Sequence, residues 1–520
     1  MTPTRTRALI VAAAVAVVGG LLAALIAPWP ARLGDADSGD LALAAEVRAV
    51  IDDPGGYRGL AVARIADGQV RVAGLGDRTS GLVGRDGQPV RPDTPFEIGS
   101  IGKTLTGMLL ADQIAAGQVD ADTTLAEALP GQKFADPAVG EITLTELASH
   151  RSGLPRLPTA GPTATLTMTL AALRGTDPYA SLDVDRIRAS LTRARVSDGR
   201  GEVHYSNFGA ALLGIALAEQ ADQAEHTGSA DPADAGSYPA LVERRLLGPL
   251  GMGDTGHALD GADPPAGAAT GSTAGGRTAD PWQGSGLAGA GIGLWSTAPD
   301  LARLVTALLD GSAPGADATQ PRFTADDDTR RIGYGWFTTT YDGRAITWHD
   351  GGTGGFRSYV GFDPATGDGV VVLGNTDKGV EPIGLALLGV ASDSDAAGAG
   401  PLLIGVTVVL LLAAAVTPAA TAFGGRRRWL PVTDRLKVIG SASTALLYLL
   451  IGYLAGAWHD VWAGWWAVAA GLAVGGVAAG ALRWRRLPVT GSGRPWLRWT
   501  GLVATVTVTA VVLTLTLLLA

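Results

Sequence analysis

The tetrad Ser100-Ile-Gly-Lys103 is the part of the sequence best equipped for chemistry. The chain has four lysines, and only Lys103 follows a serine at a spacing of three. The surrounding run is otherwise uncharged and apolar and predicts a helix over Lys103–Ala116, which places both side chains on one helix face. A serine hydroxyl needs an adjacent base, and a buried lysine loses enough basicity to be that base. The tetrad therefore predicts a serine nucleophile, with a helix-capping serine and an ordinary surface lysine as the alternative.

Two further segments carry polar side chains at the edges of predicted elements. Tyr205-Ser-Asn207 precedes a helix predicted over Asn207–Ala221, and His349-Asp-Gly351 ends a predicted strand before Gly352. Taken alone, Tyr205 is a loop aromatic before a helix and His349 is a strand histidine bonded to a neighbour. The presence of Ser100 and Lys103 favours a shared active site instead.

In their order along the chain, these segments resemble the serine β-lactamase and penicillin-binding protein superfamily. The likeness is to the class C-like branch, which includes DD-peptidases and esterases, and covers about residues 55–378. It rests on three short motifs, called boxes below: Ser100–Lys103, Tyr205–Asn207 and His349–Gly351. Three further segments also match: Leu147–Pro155, Pro249–Met252 and Leu294–Leu301.

The resemblance implies a role for each box residue. Ser100 would attack a carbonyl and form an acyl-enzyme, and Lys103 and Tyr205 would share proton transfer, Tyr205 as a phenolate or a relay. Asn207 would bind the substrate amide. His349 and Gly351 would line the opposite wall, and the N–H groups of Ser100 and Gly352 would form the oxyanion hole.

The third box departs from the family's lysine. His349 is largely neutral near pH 7, which weakens recognition of a substrate carboxylate. Arg357 could supply that charge, although an arginine at a strand start more often lies on a solvated face.

Other chemistries fit the sequence less well. No G-x-S-x-G elbow and no H-E-x-x-H helix occurs. The absence of cysteine excludes thiol nucleophiles, disulfides and Cys-ligated metals. We expect no metal and no cofactor, His150 as a structural core residue, and His204 as a possible lining residue. The pI near 5.2 argues against a nucleic-acid partner.

The expected fold of residues 40–392 is α+β, an antiparallel sheet flanked by helices with an all-helical insertion. Hairpin turns at Asp67-Gly68 and Asp342-Gly343, and a third hairpin around 364–368, place strands at both ends of this region. Further helices are predicted over Tyr238–Leu247 and Ala298–Leu309. Three stretches are expected to be loops over the site: 157–200, 222–237 and 258–287.

The remaining segments predict membrane spans. Residues 1–34 hold an apolar run over 8–27, either a cleaved signal peptide or, as its length favours, an anchor. Four more spans are expected at about 401–424, 438–458, 461–482 and 501–520. Basic residues cluster on alternate connections, which predicts a cytoplasmic N-terminus and an external middle domain. The spans themselves lack charged residues, so ion-coupled transport is disfavoured and anchoring is preferred.

A short internal repeat relates residues 426–433 to 483–490. The second copy contains Leu487-Pro-Val-Thr-Gly491, which is similar to a sortase signal. Its position in a loop predicted to be cytoplasmic argues against sorting.

The sequence thus predicts a membrane-anchored extracytoplasmic serine hydrolase acting on a small-molecule or peptide amide or ester, with a D-Ala-containing cell-wall peptide as one candidate. Its partners would be that substrate and the lipid bilayer, with the oligomeric state left open. β-Lactamase or esterase activity, a slowly acylated sensor without turnover and an inactive scaffold are the alternatives.

Overall fold

The structure is a computed structural model that describes residues 3–79, 87–158, 167–168, 170–171, 174–225, 237–326, 329–391, 400–423, 434–490 and 495–517. The chain divides into two compact units. The sheet unit comprises Ala31–Ala274 and Thr278–Ala396, and the helical unit comprises Met1–Pro30, Gly275–Arg277 and Ala397–Ala520.

A nine-stranded antiparallel sheet organises the sheet unit. Asp67 and Gly68, like Asp342 and Gly343, have positive φ, as tight hairpin turns require. Strands from both ends of the unit meet at its centre, where Gly59–Ala66 pairs with Asp368–Gly374. In spatial order the strands are Asp37–Gly39, Gln69–Gly76, Gly59–Ala66, Asp368–Gly374, Arg357–Asp363, Arg344–Gly352, Phe337–Tyr341, Arg330–Ile332 and Phe323–Thr324.

Helices cover both faces of this sheet, because successive residues of its central strands are buried on opposite sides. Ala61 and Ala63 belong to one apolar core, whereas Leu60 and Val62 belong to the other. Fully described α-helices of the unit are Leu41–Ala49, Gly102–Ala115, Leu125–Ala128, Pro137–Gly140, Leu144–Ala148, Val184–Ser190, Asn207–Glu225, Tyr238–Val242, Gly248–Leu250, Ala298–Leu309 and Glu381–Leu387. The expected α+β class with an antiparallel sheet is confirmed.

A small second sheet positions the nucleophile segment. Phe96–Glu97 pairs with Leu294–Ser296, which also pairs with Gly256–His257. The chain leaves Phe96–Glu97 and turns through a 3₁₀ segment, Gly99–Ile101, into the helix Gly102–Ala115. Ser100 therefore lies at a fixed junction between a strand and a helix.

Three predicted stretches differ in secondary structure from what was expected. The stretch 157–200 is not all loop: the helix Val184–Ser190 forms because Asp183 caps it and Ile187 buries its apolar side. The helix predicted over Tyr238–Leu247 changes at Glu243 into a π-helical turn, Glu243–Leu247. The end of the predicted loop 258–287 overlaps a 3₁₀ helix, Ser285–Ala290.

Among its described residues, the helical unit contains four helices long and apolar enough to cross a membrane: Pro401–Phe423, Arg435–Ala455, Gly464–Leu482 and Pro495–Leu517. The second begins earlier than predicted because Asp434 caps it. The fourth also begins earlier, at Pro495. Consequently Arg435, Lys437 and Arg498 lie in the first turns of these two helices, whereas the predicted spans began after them.

An N-terminal helix, Pro3–Leu25, packs against Gly464–Leu482 in the same unit. Small residues line this contact: a Cβ on Gly471 would lie 2.5 Å from Ala16 O and 2.9 Å from Gly20 Cα. Close backbone approach through small residues is typical of helix pairs in membranes.

Several predicted features lie outside the described residues. These are the first copy of the repeat at 426–433 and residues 226–236 of the predicted loop 222–237.

Candidate active site

Ser100 and Lys103 form a direct contact. Lys103 Nζ lies 2.8 Å from Ser100 Oγ and donates a second hydrogen bond of 2.8 Å to the Ala290 carbonyl oxygen. Lys103 is only 3% exposed, and its neighbours on the helix are buried too. The ammonium group is thus enclosed, with the serine hydroxyl on one side and a backbone carbonyl on the other.

This enclosure changes the chemistry of the amine. Burial lowers the pKa of Lys103 to about 7, opposed by nearby Asp350 and reinforced by Arg156. A large fraction of the amine is therefore neutral at neutral pH, and a neutral amine 2.8 Å from a hydroxyl can accept its proton.

Tyr205 lies next to Ser100 and Lys103. Lys103 Nζ lies 4.9 Å from the centre of the Tyr205 ring. Burial raises the pKa of Tyr205, and the nearby Ser100 side chain only partly offsets this. Of the two forms considered for Tyr205, the environment favours the protonated phenol over the phenolate.

The loop Leu147–Pro155 holds Tyr205 in place through His150. The two rings are 4.5 Å apart, His150 Nδ1 accepts a hydrogen bond from Ser206 N, and His204 N donates to His150 O. His150 is 2% exposed and is a core residue, as expected. The exposed His204 side chain lies 3.3 Å from Glu202.

Asn207 begins the helix Asn207–Glu225 beside Tyr205. Its backbone N–H donates a hydrogen bond of 3.0 Å to Arg156 O. Its Oδ1 is buried and has no hydrogen-bond partner among the described residues. A buried acceptor without a partner is costly, which makes it a candidate to receive an N–H from a ligand.

The strand Arg344–Gly352 forms the facing wall. His349 is fully buried, its ring centre lies 6.3 Å from that of Tyr205, and burial lowers its pKa to about 4. Its Nδ1 lies 2.5 Å from Asp350 O. His349 is therefore a neutral wall residue.

The glycines of this strand lie against the nucleophile segment. A Cβ on Gly351 would lie 2.0 Å from Ile98 O, and a Cβ on Gly99 would lie 2.9 Å from Gly352 N. The Gly352 backbone thus lies beside the turn that carries Ser100. The structure brings together all the predicted site residues: Ser100, Lys103, Tyr205, Asn207, His349, Gly351 and Gly352.

Arg357 lies across from Gly352 in the neighbouring strand. Its guanidinium donates to two backbone carbonyls, of Thr353 and Phe356, at 2.9 Å each. Much of its hydrogen-bonding capacity is therefore used within the loop, although the half-buried side chain remains next to Gly352.

Sequence reasoning missed Glu97. Its two carboxylate oxygens accept hydrogen bonds from Trp282 N at 3.0 Å and from Thr353 Oγ1 at 2.9 Å, so it joins the 258–287 segment to the end of the His349 strand. Glu97 is 1% exposed, and burial raises its pKa to about 8 against the lowering effect of these hydrogen bonds. An acidic residue inside the apolar run before Ser100 was the available signal. The contact of Lys103 with the Ala290 carbonyl could not be predicted from residue type, since any residue at position 290 would present a backbone carbonyl.

Comparison with known proteins shows the family of the chain. The profile of the family described as Beta-lactamase matches residues 47–390. The chain belongs to the beta-lactamase family. A curated relative, "Penicillin-binding protein 4" of Amycolatopsis lactamdurans, is 27% identical over 344 residues, which cover 62% of this chain and 81% of the relative. The chain is thus a serine hydrolase of the β-lactamase and penicillin-binding protein type.

Solved structures support the fold of this family member. A class C β-lactamase from Rhodobacter sphaeroides aligns with a TM-score of 0.52 at 24% identity, covering 67% of this chain and 98% of that one. A "Beta-Lactamase/D-Alanine Carboxypeptidase" from Pseudomonas syringae aligns with a TM-score of 0.53 at 20% identity, covering 68% and 99%. At these identities the likeness concerns the fold.

Proposed function

We propose that the family member is a membrane-anchored acyl-transfer hydrolase in which Ser100 forms a covalent acyl-enzyme. The distance of 2.8 Å between Lys103 Nζ and Ser100 Oγ, inside an enclosure that lowers the pKa of the lysine, is the observation that carries this proposal. A serine with a desolvated amine beside it is an activated nucleophile.

In the proposed first step, Ser100 Oγ bonds to the substrate carbonyl carbon while its proton passes to Lys103 Nζ. The carbonyl electron pair moves onto oxygen, and the N–H groups of Ser100 and Gly352 stabilise that charge. Collapse expels the leaving group, which receives a proton through Tyr205. Water then attacks the ester in the same way, releasing the acid and restoring Ser100.

The proposed substrate is a small amide or ester, with a D-Ala-containing peptide first among candidates. Two similar proteins support this choice, since one is a penicillin-binding protein and the other is described as a β-lactamase/D-alanine carboxypeptidase. The unpartnered Asn207 Oδ1 is suited to accept the N–H of such a peptide. Arg156, whose guanidinium lies 5.2 Å from the Tyr205 ring centre, offers a cation at the exposed side of the site.

Labelling and turnover test this proposal separately. A fluorophosphonate should label the full chain but not Ser100→Ala, and equal labelling of both would contradict the acyl-enzyme. A panel of nitrocefin, a p-nitrophenyl ester, a D-Ala-D-Ala peptide and a D-amino-acid amide should then show turnover beyond one equivalent. Labelling without turnover on every substrate would support a sensor instead.

We also propose that the helical unit anchors the sheet unit on the outer face of the membrane and that Pro3–Leu25 stays attached. Four helices of sufficient length and apolarity, and the packing of Pro3–Leu25 against one of them, support this. The position of basic residues supports a cytoplasmic N-terminus. Protease added outside intact spheroplasts should digest the sheet unit, and full protection would contradict the orientation.

A further inference from the structure

A cavity in the sheet unit lies outside the Ser100 site, since none of its lining residues is Ser100, Lys103 or Tyr205. It has a volume of about 870 Å³ and lies between the segment 153–158, the helix Val184–Ser190 and the segment 193–197. Its floor is apolar, since Leu154, Ala194 and Phe208 contribute buried side chains.

Three arginines line this cavity: Arg186, Arg193 and Arg195. All three are exposed, and none forms an ion pair or a side-chain hydrogen bond with another residue in the part of the chain that the structure describes. Their neighbours behave differently, because Arg188 pairs with Glu219 at 2.6 Å and Arg200 pairs with Glu146 at 2.7 Å. The guanidinium groups at the cavity are thus left available.

This arrangement is unusual for its surroundings. Residues 35–400 contain 27 Lys and Arg against 47 Asp and Glu, so the region as a whole repels anions. Three guanidinium groups around one cavity provide a local site of opposite sign. Guanidinium groups match carboxylate and phosphate oxygens in pairs, and apolar walls favour a hydrocarbon body.

We propose that this cavity binds an amphiphilic organic anion, a carboxylate or phosphate group attached to an apolar body. The arginines hold the anionic head at the mouth, and the apolar floor takes the body. The site borders the catalytic one, because Pro155 O, at its edge, accepts a hydrogen bond from Ser206 Oγ in the Tyr205 box. Binding in the cavity does not depend on acylation of Ser100.

Calorimetry on the full chain in nanodiscs of zwitterionic lipid tests this site, with empty nanodiscs as the blank. The probes are hexyl phosphate, hexanoate, hexanol and inorganic phosphate. We expect saturable binding of at least one amphiphilic anion, at least tenfold tighter than either hexanol or inorganic phosphate and weaker at high salt. Preference between the first two probes assigns the head group as phosphate or carboxylate. Equal binding of hexanol would overturn the anion site.

The variant Arg193→Ala/Arg195→Ala should weaken binding of the preferred anion at least tenfold with an unchanged melting temperature. The matched control is Arg91→Ala/Arg331→Ala, which removes the same charge from two exposed arginines away from the cavity. Unchanged affinity in the first variant, or equal loss in the control, contradicts the proposal. Ser100→Ala should bind normally, so failure of this site and failure of the catalytic proposal give different results.

Discussion

The burial of Lys103 is also what makes its amine reactive as a base. Withdrawal from water lowers the pKa of its amine to about 7 and leaves it neutral enough to act as a base. We therefore expect kcat/KM to rise with pH through about 7 and then level off. Lys103→Ala should lose about 10²–10⁴-fold in kcat/KM because the general base is gone. A pH profile of ester hydrolysis measures both, and a wild-type profile that is flat from pH 5 to 9 would rule out Lys103 as the titrating base.

The same burial predicts a stability cost. The pKa of Lys103 is lower in the folded than in the unfolded state, so the folded state loses stability as pH falls from about 10.5 to about 7 and stays low below that. Lys103→Met fills the space without a charge and should raise the free energy of unfolding by about 1–3 kcal/mol at pH 6, after the lost hydrogen bonds are offset. Melting temperatures at pH 6 and pH 10 check this. The gain should be larger at pH 6, and a gain that does not change with pH would point to packing alone.

Residue types at fixed spacing were enough to predict which residues lie together at the candidate site, but not their environment. Ser100, Lys103, Tyr205 and Asn207 were found because each box is short and local in sequence. The contact of Lys103 with Ala290 O spans 187 residues, and that of Glu97 with Thr353 spans 256. Contacts of this range depend on the tertiary arrangement of the chain. The protonated state favoured for Tyr205 likewise comes from burial by distant segments.

The strand Arg344–Gly352 approaches the Ser100 turn so closely that no side chain fits between the two backbones. A Cβ on Gly351 would lie 2.0 Å from Ile98 O and 2.2 Å from Ser358 Oγ, so neither backbone can stay in place. Gly351→Ala should therefore lower the rate of fluorophosphonate labelling by about tenfold or more, because Gly352 moves away from the turn. Gly343→Ala, at a position with open space but positive φ, is a control for general strain. Equal losses in both variants would remove the specific role of Gly351.

Glu97 connects its own short strand to Trp282 and Thr353. Its burial should make the stability fall with rising pH, whereas the burial of Lys103 makes the stability rise with pH. Its folded-state pKa of about 8 lies above the usual carboxyl value, so stability falls as pH rises from about 4.5 through 8. In Glu97→Gln the amide can accept from Trp282 N and donate to the Thr353 hydroxyl, which keeps both contacts without a charge. The melting temperature of Glu97→Gln should exceed that of the wild type by several degrees at pH 9 and match it near pH 5. Glu97→Ala leaves both donors unpaired and should melt lower than Glu97→Gln at either pH. A wild-type advantage at pH 9 would show that the carboxylate is stabilising there.

Element boundaries were predicted where turn chemistry was explicit and missed where capping decided them. Both Asp-Gly hairpins were located from two residues each. The residues of the helix Val184–Ser190 were predicted to be loop because the stretch is polar. Only Ile187 among them is fully buried, so the helix has almost no apolar periodicity. Asp434 moved the start of a predicted span because its side chain accepts the Lys437 N–H. Weakly amphipathic short helices and caps at span ends give little periodic signal.

At the scale of the whole molecule, acidic and basic residues are unevenly divided along the chain. Residues 35–400 carry 47 Asp and Glu against 27 Lys and Arg, whereas residues 401–520 carry 10 Lys and Arg against 2 Asp and Glu. Because basic residues between membrane helices favour the cytoplasmic side, this division supports the orientation proposed above.

The N-terminal helix decides whether the anchor has four helices or five. Signal-peptide cleavage would remove most of Pro3–Leu25, yet this helix packs backbone to backbone on Gly464–Leu482 through Gly20 and Gly471. Because a signal peptide awaiting removal needs no such fitted partner, we expect the intact mass of the purified chain to include residues 1–27. Gly471→Leu places a side chain against Ala16 O and should lower the melting temperature of the helical unit and expose the N-terminal helix to protease. Gly501→Leu, where a Cβ meets open space, is the matched control. A mass lacking the first 27 residues, or equal behaviour of the two variants, would show that the helix is not part of the anchor.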